Sequence, residues 1–266
     1  MVDTDELHGD CGRGARIVRV VERDVVDSTN LEAERAIGGG ALDDLGPGEC
    51  VQFVGGVQTG GVGRRGEAWQ SPRGGLWTTV VLALEGGEGG MRVLDGLGLR
   101  LGMAVLRVLR EVSRGRRVAL KWPNDLLMEE RKVCGCLARH VTLRGRGWVL
   151  AGVGVNVNNP IQWVEGLRRP ATSLSEELGR VVDLGALRHR MGAGIAGALA
   201  ERGIPRADLE EARESLALVG SWMRVRAGSE VMEGMLEGLS EEGTPLLRTA
   251  FGAVVATPSG VEPLHE

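Results

Sequence analysis

The chain changes character at Trp222, and that change constrains its fold more than any other feature. Up to that point, apolar strand-like runs alternate with segments of helical periodicity. Beyond it come only brief strands separated by glycine turns: Trp222-Met-Arg-Val225, Glu230 to Leu236, Pro245 to Thr249 and Ala253 to Thr257. This order predicts an α+β chain with a mixed α/β domain, followed by a small all-β, barrel-like unit of about 50 residues. The expected division is a flexible tail over 1–15, a main domain over 16–215 and a C-terminal domain over 216–266. The 266 residues suffice for one large and one small domain.

Within the main domain, Arg16 to Val21 reads as a first strand that Val25-Val26 extend. Thr29 and Glu32 have capping-box spacing before a short helix through Ile37, which Gly38-Gly-Gly40 ends. Cys50 to Val57 and Thr78 to Leu84 read as strands, and Leu94 to Val112 repeats its apolar residues at helical spacing. A cluster of short strands follows: Arg117 to Trp122, Leu126 to Met128, Lys132 to Arg139 and Trp148 to Val157. Leu184 to Leu199 and Asp208 to Leu218 read as helices.

Several classes are excluded by composition. No run of about 18 apolar residues exists to span a membrane, and Met1 to Arg16 lacks the apolar core of a signal peptide. A net charge of −4 speaks against a general nucleic-acid binder. Cys11, Cys50, Cys134 and Cys136 are expected to be reduced cytoplasmic thiols. No second Cys/His pair completes a zinc site with Cys134-x-Cys136.

Of the 32 basic residues only Lys121 and Lys132 are lysines. Coding bias accounts for the arginine excess but not for two lysines at opposite ends of one hairpin. An ammonium is a compact, movable charge where guanidinium is a planar fork, so the pair points to one pocket. Lys121-Trp-Pro-Asn-Asp125 reads either as a capped turn or as a nucleotide site, with Asn124 and Asp125 on Mg²⁺ or ligand hydroxyls. Gly61-Val-Gly-Arg-Arg-Gly66 matches the dinucleotide fingerprint, but a loop follows it where that fingerprint needs a helix. Its paired arginines suit a carboxylate or phosphate. The glycines of Gly152-Val-Gly-Val-Asn156 are explained by a ligand lying against the strand or by dense packing.

In order and spacing, five segments together resemble the biotin–protein ligase family: Asp27-Ser-Thr-Asn30, Gln58 to Gly66 with Trp69 and Ser71-Pro72, Lys121 to Leu127, Lys132-x-x-Gly135-x-Leu137, and Gly152 to Asn156. The C-terminal segment resembles that family's SH3-like barrel. This resemblance implies a mixed-sheet catalytic domain of the biotin/lipoyl ligase, class II synthetase-like type. It implies activation of biotin by ATP to biotinyl-5′-AMP, then transfer to a lysine of a biotin carboxyl carrier protein, with Mg²⁺ and with no tightly bound cofactor.

By position, the resemblance makes Lys132 and Arg64 the catalytic residues. Ser28, Thr29, Asn30 and Gln58 would contact the biotin rings, together with Gly61, Val62, Gly63, Arg64 and Lys132. Gly135, Leu137 and Gly152 would form the biotin wall. Arg64, Arg65, Trp69, Lys121, Asn124 and Asn156 would hold ATP and the adenylate, with Trp69 on the adenine side, and Asp125 would face the metal. Val62 stands where the family's loop carries its first arginine, which implies looser adenylate retention or reliance on Arg65. Only 26 residues precede Asp27, too few for the helix-turn-helix domain of repressor-type members, so no DNA partner is expected, and the lack of a long apolar run makes no membrane partner expected either. A homodimer is expected by the same resemblance. The competing readings are a lipoate or octanoate ligase, whose Arg-Arg-x-x-Gly-Gly-Gly signature is absent, and a sensor that binds biotin or nucleotide without turnover.

Overall fold

The structure is a computed structural model and describes residues 14–85, 91–161, 170–227, 229–257 and 262–264. Most of the tail expected over 1–15, including Cys11, lies outside the described residues.

Seven strands form the central sheet: β1 (Arg16–Val26), β2 (Glu49–Gln58), β3 (Leu76–Ala83), β4 (Val118–Lys121), β5 (Asp125–Met128), β6 (Arg131–Leu143) and β7 (Arg146–Val155). Their order is β1-β2-β3-β7-β6-β5-β4. Only β1 and β2 run parallel; every other neighbouring pair is antiparallel. All eight residues of β3 are buried, as befits a strand covered on both faces.

Alternation along the strands divides the interior in two. On one face, Val80 and Leu82 of β3 and Val149, Ala151, Val153 and Val155 of β7 pack under two 17-residue helices, α2 (Leu97–Ser113) and α4 (Leu184–Ala200). On the other, Val81, Ala83, Trp148 and Leu150 pack with Ala33 and Ile37 of α1 (Thr29–Gly38). Two shorter helices complete the domain, α3 (Leu174–Leu178) and α5 (Arg206–Ser215). The five-residue α3 is too brief for apolar periodicity to mark it. It is stopped and started by local chemistry: the Ser173 hydroxyl accepts from the Glu176 N–H, and Gly179 ends the turn at φ +63°.

The capping box expected at Thr29 and Glu32 is not formed. Ser28 is the flanking residue, in extended conformation and without a side-chain cap, and Thr29 lies inside the helix. The Thr29 hydroxyl turns instead to Gln58 Oε1 at 3.2 Å and Thr79, while the Glu32 carboxylate pairs with Arg23 and Arg35. Tertiary partners outcompete the local cap.

The C-terminal unit is a five-stranded antiparallel sheet of order β11-β10-β9-β8-β12. It comprises β8 (Trp222–Ala227), β9 (Glu230–Leu239), β10 (Pro245–Arg248), β11 (Val254–Ala256) and β12 (Glu262–Leu264). The pattern change at Trp222 is therefore the sheet boundary, and β12 is the strand that sequence reading missed. Val225, Leu236, Leu239 and Leu247 join the larger core of the main domain, so the two sheets share apolar contacts.

Cys50, Cys134 and Cys136 are free and buried. Burial pushes the Cys50 thiol up to about 12, and burial followed by the hydrogen bond with Cys136 pushes Cys134 well above the thiol range. Because the thiolate is the reactive form, a Cys11→Ser variant is expected to take up almost no thiol reagent at neutral pH until it is unfolded. Uptake by all three in the native protein would contradict their burial.

Candidate active site

The face under α1 is filled with apolar side chains over half the sheet and emptied by glycine over the other half. Cross-strand register shows how. One row runs Gly55, Trp77, Gly154, Gly135, Asp125 and Lys121 through β2, β3, β7, β6, β5 and β4. The next runs Phe53, Thr79, Gly152 and Leu137. Directly paired residues point to one side of a sheet, so Gly135, Gly152 and Gly154 leave a hollow beside α1. A cavity of about 1010 Å³ occupies it.

All but one of the expected site residues line this cavity. Ser28, Thr29 and Asn30 enter from the head of α1 and Gln58 from the end of β2; Val62, Gly63, Arg64, Arg65 and Trp69 come from the loop after β2. Lys121, Asn124, Asp125 and Lys132 come from the β4–β5–β6 hairpins, with Gly135, Leu137, Gly152 and Asn156 on the far wall. Gly61 is the exception. A Cβ there would sit 2.4 Å from Trp69 O and 2.7 Å from Ser71 Oγ, and Gly61 O accepts the Trp69 N–H at 2.9 Å. It lets two backbones touch and thereby shapes the loop.

The head of α1 is held by charge. Asp27 takes both Arg35 guanidinium nitrogens at 2.8 Å and the Ser28 N–H at 2.7 Å. The Arg35 hydrogen bond, helped by the Ser28 N–H, holds the Asp27 carboxyl down at about 2. Gln58 Oε1 accepts the Thr29 N–H at 2.9 Å, and its Nε2 donates to Ser71 Oγ at 2.8 Å.

Cations gather at the opposite end. Asp125 lies between the two lysines, 2.8 Å from Lys132 Nζ and 3.4 Å from Lys121 Nζ. Lys132 Nζ also sits 4.9 Å from the centroid of the Trp69 ring, within cation–π range. Arg64 Nη1 donates to Asn124 Oδ1 at 3.3 Å, and Asn124 Nδ2 donates to Cys136 O at 2.7 Å, which ties the arginine loop to β6. The Trp69 indole lies along Gly135 and Gly154, where added Cβ atoms would come within 3.3 and 2.7 Å of it. It therefore shares the wall of Gly135, Leu137 and Gly152 rather than a separate surface. Its Nε1 is buried without a hydrogen-bond partner.

The carboxylate expected to face a metal is thus occupied by both lysines. Among the described residues no group of three or more His, Cys, Asp or Glu side chains is placed to hold an ion. The donor set does not fit a resident metal. The C-terminal sheet also reaches this cavity through Trp222, Met223, Arg224 and Leu236, and the chain leading into it through Leu218 and Ser221. No motif marks these residues; only folding brings them to the site.

Comparison with known proteins agrees with this architecture. Residues 51–158 match the biotin/lipoate A/B protein ligase family. The bifunctional ligase/repressor BirA of Bacillus subtilis is 29% identical over 241 residues, covering 88% of this chain and 70% of its own. The biotin–[acetyl-CoA-carboxylase] ligase of Paracoccus denitrificans is 29% identical over 250 residues, covering 86% of this chain and 94% of its own. Among solved structures, biotin protein ligase from Aquifex aeolicus in complex with biotin and ATP superimposes with a TM-score of 0.73 at 26% identity, over 94% of this chain and 100% of that one. The mixed sheet that carries this glycine-floored, lysine-bearing pocket is shared with protein ligases. Residues 51–158 are a biotin/lipoate A/B protein ligase family domain, and the relatives and solved structures that the chain resembles along most of its length are biotin protein ligases. The resemblance read from the five segments is borne out.

Proposed function

We propose that this chain activates biotin with ATP to biotinyl-5′-AMP and passes the biotinyl group to a lysine of a carrier protein. The observation that carries this reading is the convergence of the five segments on one cavity, in a fold matched by a ligase holding biotin and ATP. A biotin carboxylate oxygen bonds to the α-phosphorus, the bond to the bridging oxygen breaks, and pyrophosphate leaves. Two anions must approach, so cations that follow the charge into the transition state lower the barrier. Lys132 serves the carboxylate and α-phosphate, with Asp125 holding it in place; Arg64 closes the loop over the adenylate and Lys121 adds charge beside it. In the second step the carrier lysine amine attacks the acyl carbon, loses a proton, and AMP departs.

Ser28, Thr29, Asn30 and Gln58 supply the polar contacts to the ring end. Gly135, Leu137, Gly152 and Trp69 form the wall along the acyl chain, and Arg65, Asn124 and Asn156 face the nucleotide. Val62 offers an apolar side chain and a backbone to the cavity in place of a guanidinium, leaving Arg64 and Arg65 as the positive charge of the loop. Mg²⁺, if required, would be held by the phosphates of ATP rather than by a protein carboxylate, and would neutralise charge there. We further assign 16–215 to the catalytic domain and 216–266 to an SH3-like module, with a homodimer in the cytoplasm as the working form.

The test is ATP–pyrophosphate exchange in purified protein. Exchange is expected with biotin and not with lipoate or octanoate. Exchange supported by lipoate in place of biotin would convert the reading to a lipoate ligase, and biotin binding without exchange would make the chain a sensor.

A further inference from the structure

Beneath the ring end of the pocket lies a polar residue that no motif contains. Thr79, on the central strand β3, is fully buried and sits in register between Phe53 on β2 and Gly152 on β7. It does not line the cavity. Its Oγ1 lies 2.8 Å from Thr29 Oγ1 and 3.0 Å from Asn30 Oδ1, both side chains that do. A hydroxyl carries one proton, and an amide oxygen can only accept. Thr79 is placed to donate to either oxygen, and Asn30 Oδ1, which has no proton of its own, requires that donation. Gln58 Oε1 already accepts the Thr29 N–H at 2.9 Å, so the Thr29 hydroxyl can turn its one proton from Gln58 to Thr79. Its cross-strand neighbours on this face are the apolar Phe53 and the bare Gly152, and Val81 follows it along β3, so a buried hydroxyl here has no packing rationale. Unpaired, it would destabilise the fold.

The consequence is polarity. With Oδ1 turned down to Thr79, Asn30 offers its Nδ2 hydrogens to the cavity beside Gly152, whose missing side chain gives the amide its room: a Cβ there would stand 2.7 Å from Nδ2. We propose that Thr79 is a positioning residue that fixes the Asn30 amide as a hydrogen-bond donor, so that the pocket selects a ring bearing an acceptor oxygen, a cyclic urea, over one bearing a donor. This deepens, and rests on, the biotin reading of the site. Sites that hydrogen-bond a substrate group discriminate strongly against analogues that invert it, because a buried partner is then left unpaired.

The experiment measures exchange kinetics with biotin and with 2-iminobiotin, in which an N–H donor replaces the ureido oxygen, for wild type, Thr79→Val and Thr79→Ser. Valine keeps the shape and removes the hydroxyl; Thr79→Ala serves the same purpose if valine fails to fold. The hydroxyl-free variant is expected to raise KM for biotin about tenfold, the equivalent of one hydrogen bond at ~1.4 kcal/mol, with KM for ATP unchanged. Its preference for biotin over 2-iminobiotin is expected to fall by a similar factor, because Asn30 is then free to turn over. Serine is expected to restore both. A variant with unaltered biotin KM and unaltered analogue preference overturns the proposal. So does a parallel rise in both KM values that serine fails to rescue, since that is the signature of a merely structural threonine. Wild-type protein inactive with biotin would overturn the ligase reading itself, and this proposal with it.

Discussion

Lys132→Ala is expected to lower biotin-dependent pyrophosphate exchange by about a thousandfold, the loss typical of removing one preorganised charge from a transition state. The structure explains why the loss should fall on kcat rather than on binding. Lys132 Nζ is held from below by Asp125 Oδ1 at 2.8 Å and bordered by the Trp69 ring at 4.9 Å. It is thus already oriented before two anions meet. Without it, Asp125 keeps the longer, 3.4 Å contact with Lys121, and its partly neutralised carboxylate would oppose the incoming phosphate. The alanine variant suffers twice, by a lost cation and by an exposed anion. Lys132→Arg is expected to recover only a small part, because a planar fork cannot take the place of a point charge between Asp125 and an indole. Single-turnover measurement of adenylate, with biotin affinity determined separately, distinguishes the two effects. Full exchange in Lys132→Ala would remove this residue from the chemistry and leave Lys121 as the candidate.

What the sequence made legible followed from short-range rules. Continuous apolar, β-branched runs marked β2, β3 and β7, because central strands must be apolar on both faces, and helical spacing marked α2 and α4, which cover one of those faces. The scarcity of lysine singled out Lys121 and Lys132, and the hairpin between them brought both to one carboxylate. Cross-strand register stayed out of reach. Nothing in the spacing of Gly55, Trp77, Gly154, Gly135, Asp125 and Lys121 states that they lie in one row, yet Gly154, Gly135, Asp125 and Lys121 of that row line the site. Competition was equally hidden: Thr29 has a capping residue's chemistry, and only the fold reveals that Gln58 and Thr79 claim its hydroxyl. The contribution of Trp222 and its neighbours to the cavity depends on how one sheet packs on another, which no local pattern encodes.

The two glycines of Gly61-Val-Gly63 look equivalent in sequence and are expected to behave very differently when changed to alanine. At Gly63 the nearest atom to an added Cβ is Glu67 O at 3.5 Å, an ordinary contact. Gly63→Ala should cost no more than about threefold in kcat/KM, since only the backbone entropy of the loop changes. At Gly61 the new methyl would stand 2.4 Å from Trp69 O and 2.7 Å from Ser71 Oγ. The first is backbone and cannot swing aside, so the loop held by the Trp69 N–H bond to Gly61 O must open. Opening it carries Trp69 off Gly135 and Gly154, strips the ring from beside Lys132, and pulls Ser71 away from Gln58 Nε2, which it accepts from at 2.8 Å. Both ends of the pocket lose their geometry through one methyl group. Displacements of about 1 Å at a reacting centre cost on the order of a hundredfold, and that is the loss expected for Gly61→Ala in biotin-dependent exchange. The melting temperature should change little, because the loop lies outside both cores. Equal activities for the two variants would mean that the close approach at Gly61 is dispensable, and that the loop's arginines act without the Trp69 wall behind them.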